Sequence, residues 1–186
     1  DELRRALDRG EFVLHYQPIA DVQSGRIASA EALIRWEHPE RGLIPPLEFI
    51  PFAEETGLIL PIGEWVLRAV CAQGRRWQDA GLPIDRIAAN ISVLQFLQAD
   101  FVDTVRRILT ETGLEPGRLE LEVTESVAME DVKLSSKVLG ALDAMGVRIT
   151  IDDFGTGHSS LAYLKNFPIR TLKIDRSFVR ELTTNP

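Results

Sequence analysis

The chain has 186 residues, 45% of them hydrophobic, enough to enclose one sizeable core in a single domain. Lys and Arg number 21 against 28 Asp and Glu, and the net charge of −7 argues against non-specific binding to a nucleic-acid polymer or a membrane surface. The lone Cys71 excludes an internal disulfide and fits a reducing, cytoplasmic compartment, with core packing as its expected role.

The chain opens DELRRALDRG, charged and amphipathic, which is no signal peptide. It lacks a starting Met, so a piece cut from something longer is expected. Asp1–Arg9 is predicted as a short helix, with Leu3, Ala6 and Leu7 on one face and Gly10 as its stop. Phe12–Ile19 and Arg26–Trp36 are predicted strands joined by the turn signal Ser24-Gly25, an antiparallel pair. Pro45-Pro46 opens a helix to about Thr56, and a longer one is expected from about Gly63 to Ala80. Strand Arg86–Ser92 precedes helical stretches ending near Thr112-Gly113. Strand Leu119–Glu125 precedes a helix from about Asp131 to Met145. Strand Val147–Phe154 leads through a glycine loop to a short helix around Ser159–Leu164, and strand Thr171–Ile174 comes last. No run on this path approaches the roughly 18 apolar residues of a membrane span.

Alternating strand and helix implies a parallel sheet with helices outside, either an open doubly wound sheet or a (β/α) barrel. Polar placement separates the two. Glu31, Asn90, Glu122, Asp152 and Lys173 each sit near the C-terminal end of a different strand. Barrel enzymes gather a site from many strands at that face, whereas open sheets gather ligands at one switch point. Five contributing strands favour the barrel.

Alternate strand residues share a face, so Lys173 lies with Asp175, and Asp152 with Thr150. Asp153 starts on the opposite face and can turn inward only where the strand ends. A ring of Glu31, Asn90, Glu122, Asp152 and Asp153 therefore converges, with Lys173 nearby. Oxygen-only ligands of this kind suit Mg²⁺ or Mn²⁺ and not zinc, which prefers nitrogen and sulfur. Two adjacent aspartates are a natural way to serve two metals about 3.5–4 Å apart.

Blander roles compete with this one. A single carboxylate at a strand end is more often a helix cap or an ion-pair partner, and an Asp-Asp pair before Gly-Thr-Gly also suits a turn. Asp153-Phe154-Gly155 spells the kinase DFG, but no H-R-D loop precedes it, and Gly155-Thr156-Gly157 lacks the ending of a phosphate loop. His15, His38 and His158 are scattered, and none is assigned to a metal.

Six motifs in order resemble the EAL-domain cyclic di-GMP phosphodiesterases across essentially the whole chain. They are Tyr16-Gln17-Pro18, Glu31-Ala32-Leu33-Ile34-Arg35-Trp36, Asn90-Ile91-Ser92, Glu122-Val123-Thr124-Glu125-Ser126, DDFGTGHSSL at Asp152–Leu161, and KIDRSF at Lys173–Phe178. The resemblance implies a TIM-type (β/α) barrel with an antiparallel first strand. It implies hydrolysis of cyclic di-GMP to linear pGpG in bacterial second-messenger signalling, with Mg²⁺ or Mn²⁺ in a two-metal site. Glu31, Asn90, Glu122 and Asp152 then resemble the ligands of a first metal and Asp153 a ligand of the second. Lys173 resembles the residue that orients or deprotonates the attacking water, and Asp175 its partner. Glu125 resembles the glutamate that steadies the DDFGTG loop. Gln17, Leu33 and Arg35 resemble substrate contacts, Arg35 to phosphate.

Family barrels continue with two more strands after KIDRSF, bringing the glutamate of AEGVE and the glutamine near QGY. This chain ends Thr183-Thr184-Asn185-Pro186, so the expectation is an EAL domain lacking its C-terminal part, from a multidomain protein with sensory or GGDEF-type domains. As written it is expected to be a poor catalyst that aggregates or forms a homodimer through the edge of Thr171–Ile174. His158, where the family often has Tyr, reads as loop variation. The alternatives are a non-catalytic cyclic di-GMP receptor, favoured only by a degenerate ring, and an unrelated metal-dependent barrel enzyme. Every ring member within the chain is present.

Overall fold

The computed structural model describes residues 2–155 and 167–177. Helix α1 (Glu2–Arg9) places Leu3 and Ala6 in the core, as its helical spacing requires. Strands β1 (Phe12–Ala20) and β2 (Ile27–His38) form the expected antiparallel hairpin, in register from Phe12↔Trp36 to Ile19↔Ser29. The Asp21 carboxylate fixes its turn by accepting from the Ser24 N–H at 2.7 Å and the Ser24 hydroxyl at 2.6 Å.

A short strand, β3 (Gly42–Ile44), folds back on the end of β2. Three residues carry too little alternation to announce a strand. Helix α2 (Pro46–Glu55) leads to α3 (Ile59–Asp79), which begins at Ile59 rather than Gly63. Pro61 falls in its first turn, where a missing N–H costs nothing. Strand β4 (Arg86–Asn90) ends before Ser92, because Ser92 caps α4 (Val93–Phe96), which is followed by α5 (Phe101–Thr112). Strand β5 (Leu119–Thr124) also stops one residue early. Thr124 is the N-cap of a helix the periodicity missed, α6 (Glu125–Glu130), and α7 (Val132–Ala144) is the expected one. Strands β6 (Arg148–Phe154) and β7 (Thr171–Ile174) complete the described order. The helix expected around Ser159–Leu164 and the residue His158 lie outside the described residues.

The sheet runs β1-β2-β4-β5-β6-β7, with β1 antiparallel to β2 and every later neighbour parallel. Among the described residues β1 and β7 each have one neighbour, so the sheet stays open along those two strands.

Parity divides the strands by function. Ile87 and Ala89 of β4, Leu121 and Val123 of β5, and Ile149 and Ile151 of β6 are buried in one core with Leu67, Val70, Cys71, Ile108, Leu139 and Leu142 of the helices. Each fully buried Leu or Ile contributes about 2 kcal/mol, so this face holds the fold. The alternating residues are thereby free to be polar. A second cluster gathers Phe12, Trp36 and Phe49, whose rings lie 5.6–6.1 Å apart under α1 and α2.

Candidate active site

The strand faces turned away from the helices bring Glu31, Asn90, Glu122 and Asp152 together with Lys173, Glu31 from within β2 and the others from the C-terminal halves of β4, β5, β6 and β7. At the centre of this ring is the Lys173 ammonium. It donates to Glu122 Oε2 at 2.6 Å, to Glu31 Oε2 at 2.8 Å and to Asp152 Oδ2 at 3.4 Å. The Asn90 amide donates to Glu31 Oε1 at 2.9 Å, completing the arc.

Burial makes this cluster electrically tense. Glu122 is only 2% exposed, and that burial pushes its carboxyl up to about 7, against the lowering pull of Lys173. For Lys173, burial alone would lower the pKa, but its bonds to Glu122 and Glu31 outweigh it and raise the value above that of an ordinary lysine. Asp153 is raised first by burial and then by the charges of Asp152 and Asp175.

Asp153 is exposed, lies within β6, and sits close enough to feel the charges of Asp152, Asp175, Lys173 and Glu31. Its φ of 52° lies in the left-handed region, and the β6–β7 register shifts between Ile151 and Phe154. Its N–H donates to Asp152 Oδ1 at 2.9 Å. A non-glycine residue held there is a mark of local strain, which clusters at functional sites. Next along, the Gly155 N–H donates to Glu125 Oε2 at 2.9 Å, so the buried Glu125 anchors the start of the glycine loop. Thr156 to Leu161 of that motif, and Phe178 of the last, lie outside the described residues.

The remaining candidates are less tightly gathered. Gln17 lies opposite Glu31 across the hairpin and is exposed. Leu33 borders a groove of about 310 Å³ that also touches Asn90, Glu122, Pro46, Ile50 and Val66. Arg35 donates to its neighbour's carbonyl, Ile34 O, at 2.7 Å and makes no ion pair with a carboxylate among the described residues. Asp175 accepts from the Ser177 N–H at 2.9 Å and from the Ser177 hydroxyl, so it is tied to its own turn and not to Lys173.

Sequence reasoning missed a polar floor beneath the ring. Glu120, 7% exposed, accepts from Arg86 Nε at 3.0 Å and from the Thr150 hydroxyl. The parity that singled out Glu122 and Asp152 puts Glu120 and Thr150 on the same face, so the signal was present. It also missed Gln95, whose position after Ser92 spells a capping box.

Among the described residues no three Asp, Glu, His or Cys side chains close around a point free for a metal ion. The carboxylates close around the ammonium instead. Oxygens that converge on one cation are a donor set for another, and the ring offers only the hard oxygens that Mg²⁺ or Mn²⁺ takes.

Fold and site together define a parallel (β/α) barrel-type domain with a cation-gathering carboxylate ring at the C-terminal ends of its strands. The chain belongs to the EAL domain family, whose model matches residues 1–186. It is 55% identical over 181 residues to the bifunctional diguanylate cyclase/cyclic di-GMP phosphodiesterase MucR of Pseudomonas aeruginosa, covering 97% of this chain and 26% of that protein. It is 42% identical over 184 residues to the cyclic di-GMP phosphodiesterase PdeR of Escherichia coli, covering 99% and 28%. The chain thus spans about a quarter of the length of these relatives. The solved PaMucR phosphodiesterase in complex with c-di-GMP superposes with a TM-score of 0.95 at 54% identity, covering 99% of this chain and 74% of that one. That likeness bears out the barrel class, and the β1–β2 pairing the antiparallel start. No helix among the described residues is long and apolar enough to cross a membrane.

Proposed function

We propose that this chain is a metal-dependent phosphodiesterase domain that hydrolyses one phosphodiester bond of cyclic di-GMP, giving linear pGpG. The observation that carries this reading is the convergence of Glu31, Glu122 and Asp152 on a single cationic centre, with Asn90 beside them. Family membership and the c-di-GMP complex of PaMucR support it.

Glu31, Asn90, Glu122 and Asp152 would hold a first Mg²⁺ or Mn²⁺ and Asp153 a second, with Asp152 shared. Bound there, such ions supply Lewis-acid charge to the phosphoryl oxygens and lower the pKa of a coordinated water. Lys173, whose bonds to Glu122 and Glu31 raise its pKa here, would orient or deprotonate the attacking water. The water oxygen bonds to phosphorus as the P–O3′ bond breaks; in the net reaction one of the water's protons ends on the departing 3′-oxygen and the other stays with the new terminal phosphate or passes to solvent. Arg35 meets a phosphate, Gln17 and Leu33 border the substrate, and Glu125 steadies the loop that carries Asp153. Asp175 acts on the site through its charge near Asp153.

The small share of MucR that the chain spans supports a parent with sensory or GGDEF-type domains. A homodimer belongs to the same proposal, and the lone Cys71, free and buried, supports a cytoplasmic setting. The deciding assay is pGpG release from cyclic di-GMP by the purified protein in Mg²⁺, in Mn²⁺ and in EDTA. Metal-dependent release is expected. Tight binding without cleavage in either metal would instead make the chain a cyclic di-GMP receptor.

A further inference from the structure

Asn90 brings a neutral oxygen donor to the ring, and the chain immediately after it is tightly constrained. Asn90 is the last residue of β4 in register with β5, opposite Glu122, and the next N–H, of Ile91, donates to Glu122 O at 2.9 Å. Ser92 then leaves the strand and caps α4. The cap is reciprocal: the Ser92 hydroxyl accepts from the Gln95 N–H at 3.3 Å. Gln95 Oε1 accepts from the Ser92 N–H at 3.3 Å and from the Ser92 hydroxyl at 3.1 Å. Helix α4 has four residues, far too few to persist on propensity. Its cap and the burial of Gln95 and Phe96 hold it in place.

The Gln95 amide occupies a space that only glycine leaves. A β-carbon at Gly63 of α3 would lie 2.0 Å from Gln95 Nε2 and 2.4 Å from Oε1. Gly63 has no left-handed φ, so the glycine is there for room and not for backbone freedom. The same side chain lines both the 310 Å³ groove at the ring and a second cavity of about 280 Å³ beside Leu67 and Phe101. Truncating it would join the two and let water compete for Ser92.

We propose that Gln95, seated against Gly63, is a positioning residue of the active site, fixing the Asn90 carboxamide through the Ser92 cap. This rests on the phosphodiesterase reading above. Partners that orient metal ligands from behind typically change metal affinity or turnover about 10–100-fold when removed. Gln95→Ala should accordingly lower kcat about tenfold and raise the Mg²⁺ concentration for half-maximal turnover by a similar factor, with KM within about threefold. Gln95→Glu, which keeps the accepting oxygen, should restore most of both.

Gly63→Ala should resemble Gln95→Ala by driving the amide out, and the double variant should be no worse than Gly63→Ala alone. The rise in melting temperature on adding Mg²⁺, which needs no turnover, should shrink in Gln95→Ala. Wild-type metal requirement and melting shift in Gln95→Ala would overturn the proposal, as would multiplying losses in the double variant. Should Gly63→Ala fail to fold, the Gln95→Ala and Gln95→Glu pair decides alone. If the wild-type protein cleaves nothing, the phosphodiesterase reading falls, and the Mg²⁺ melting shift still tests Gln95.

Discussion

Replacing Lys173 with Met keeps most of the stem and deletes the charge around which the ring closes. Two short charged bonds, at 2.6 and 2.8 Å, and one longer contact at 3.4 Å are lost. The Glu122 side chain, 1% exposed, is left without its cation. Breaking a fully buried ion pair costs about 3–5 kcal/mol. The Lys173 side chain is 28% exposed, so water recovers part of that, and a loss of about 2–3 kcal/mol is expected in EDTA. For a chain of this size that is a fall in melting temperature of roughly 5–10 °C, read by differential scanning calorimetry. Adding Mg²⁺ should narrow the gap, since a dication supplies the missing charge, while turnover stays low for want of the donor. A variant melting within about 1 °C of wild type in EDTA would refute the idea that these carboxylates lean on the ammonium.

The remaining predictions probe neighbouring parts of the same cluster. Glu122 keeps its proton to about pH 7 when folded but only to about 4.5 when unfolded, so its deprotonation opposes folding. In EDTA, urea-melt stability should therefore fall between those two pH values, by on the order of 3 kcal/mol, and Glu122→Gln should flatten the fall. Asp152→Asn and Glu122→Gln should each abolish pGpG release in saturating Mg²⁺ with folding intact by circular dichroism, and retained turnover in both would refute the ligand assignment. Glu125→Ala frees the Gly155 N–H and should reduce kcat about tenfold with little change in KM, since the loop carrying Asp153 loses its anchor.

The later strands were legible because apolar and polar residues alternate along β5 and into β6. Ile87, Leu121, Ile149 and Ile151 mark the helix-facing side, and Asn90, Glu122 and Asp152 then fall on the other. The same count placed Asp153 on the opposite face, and the backbone takes a left-handed φ there, inside β6 where the register with β7 shifts. Short elements left too few residues for a period to register. Strand β3 was invisible, and α4 and α6 announce themselves only through the caps Ser92 and Thr124. Tertiary partners were beyond reach for a different reason. That Gly63 makes room for Gln95, or that Arg86 neutralises Glu120 under the ring, depends on contacts between elements. Position along one strand says which face a side chain takes, not what meets it there.

Charge at the site decides what it can accept. Glu31, Glu122 and Asp152 close on one ammonium, and Asp153 adds a fourth carboxylate within reach of their charges. The formal balance is three negative charges in a chain already at −7, and a dianionic dinucleotide would be repelled. One dication still leaves the ring negative. A second makes it positive by one, and only then does the field favour a phosphodiester. On the proposed reading Lys173 would serve both conditions: its ammonium holds Glu31, Glu122 and Asp152 together without ions, and with ions bound it would be at hand for the attacking water.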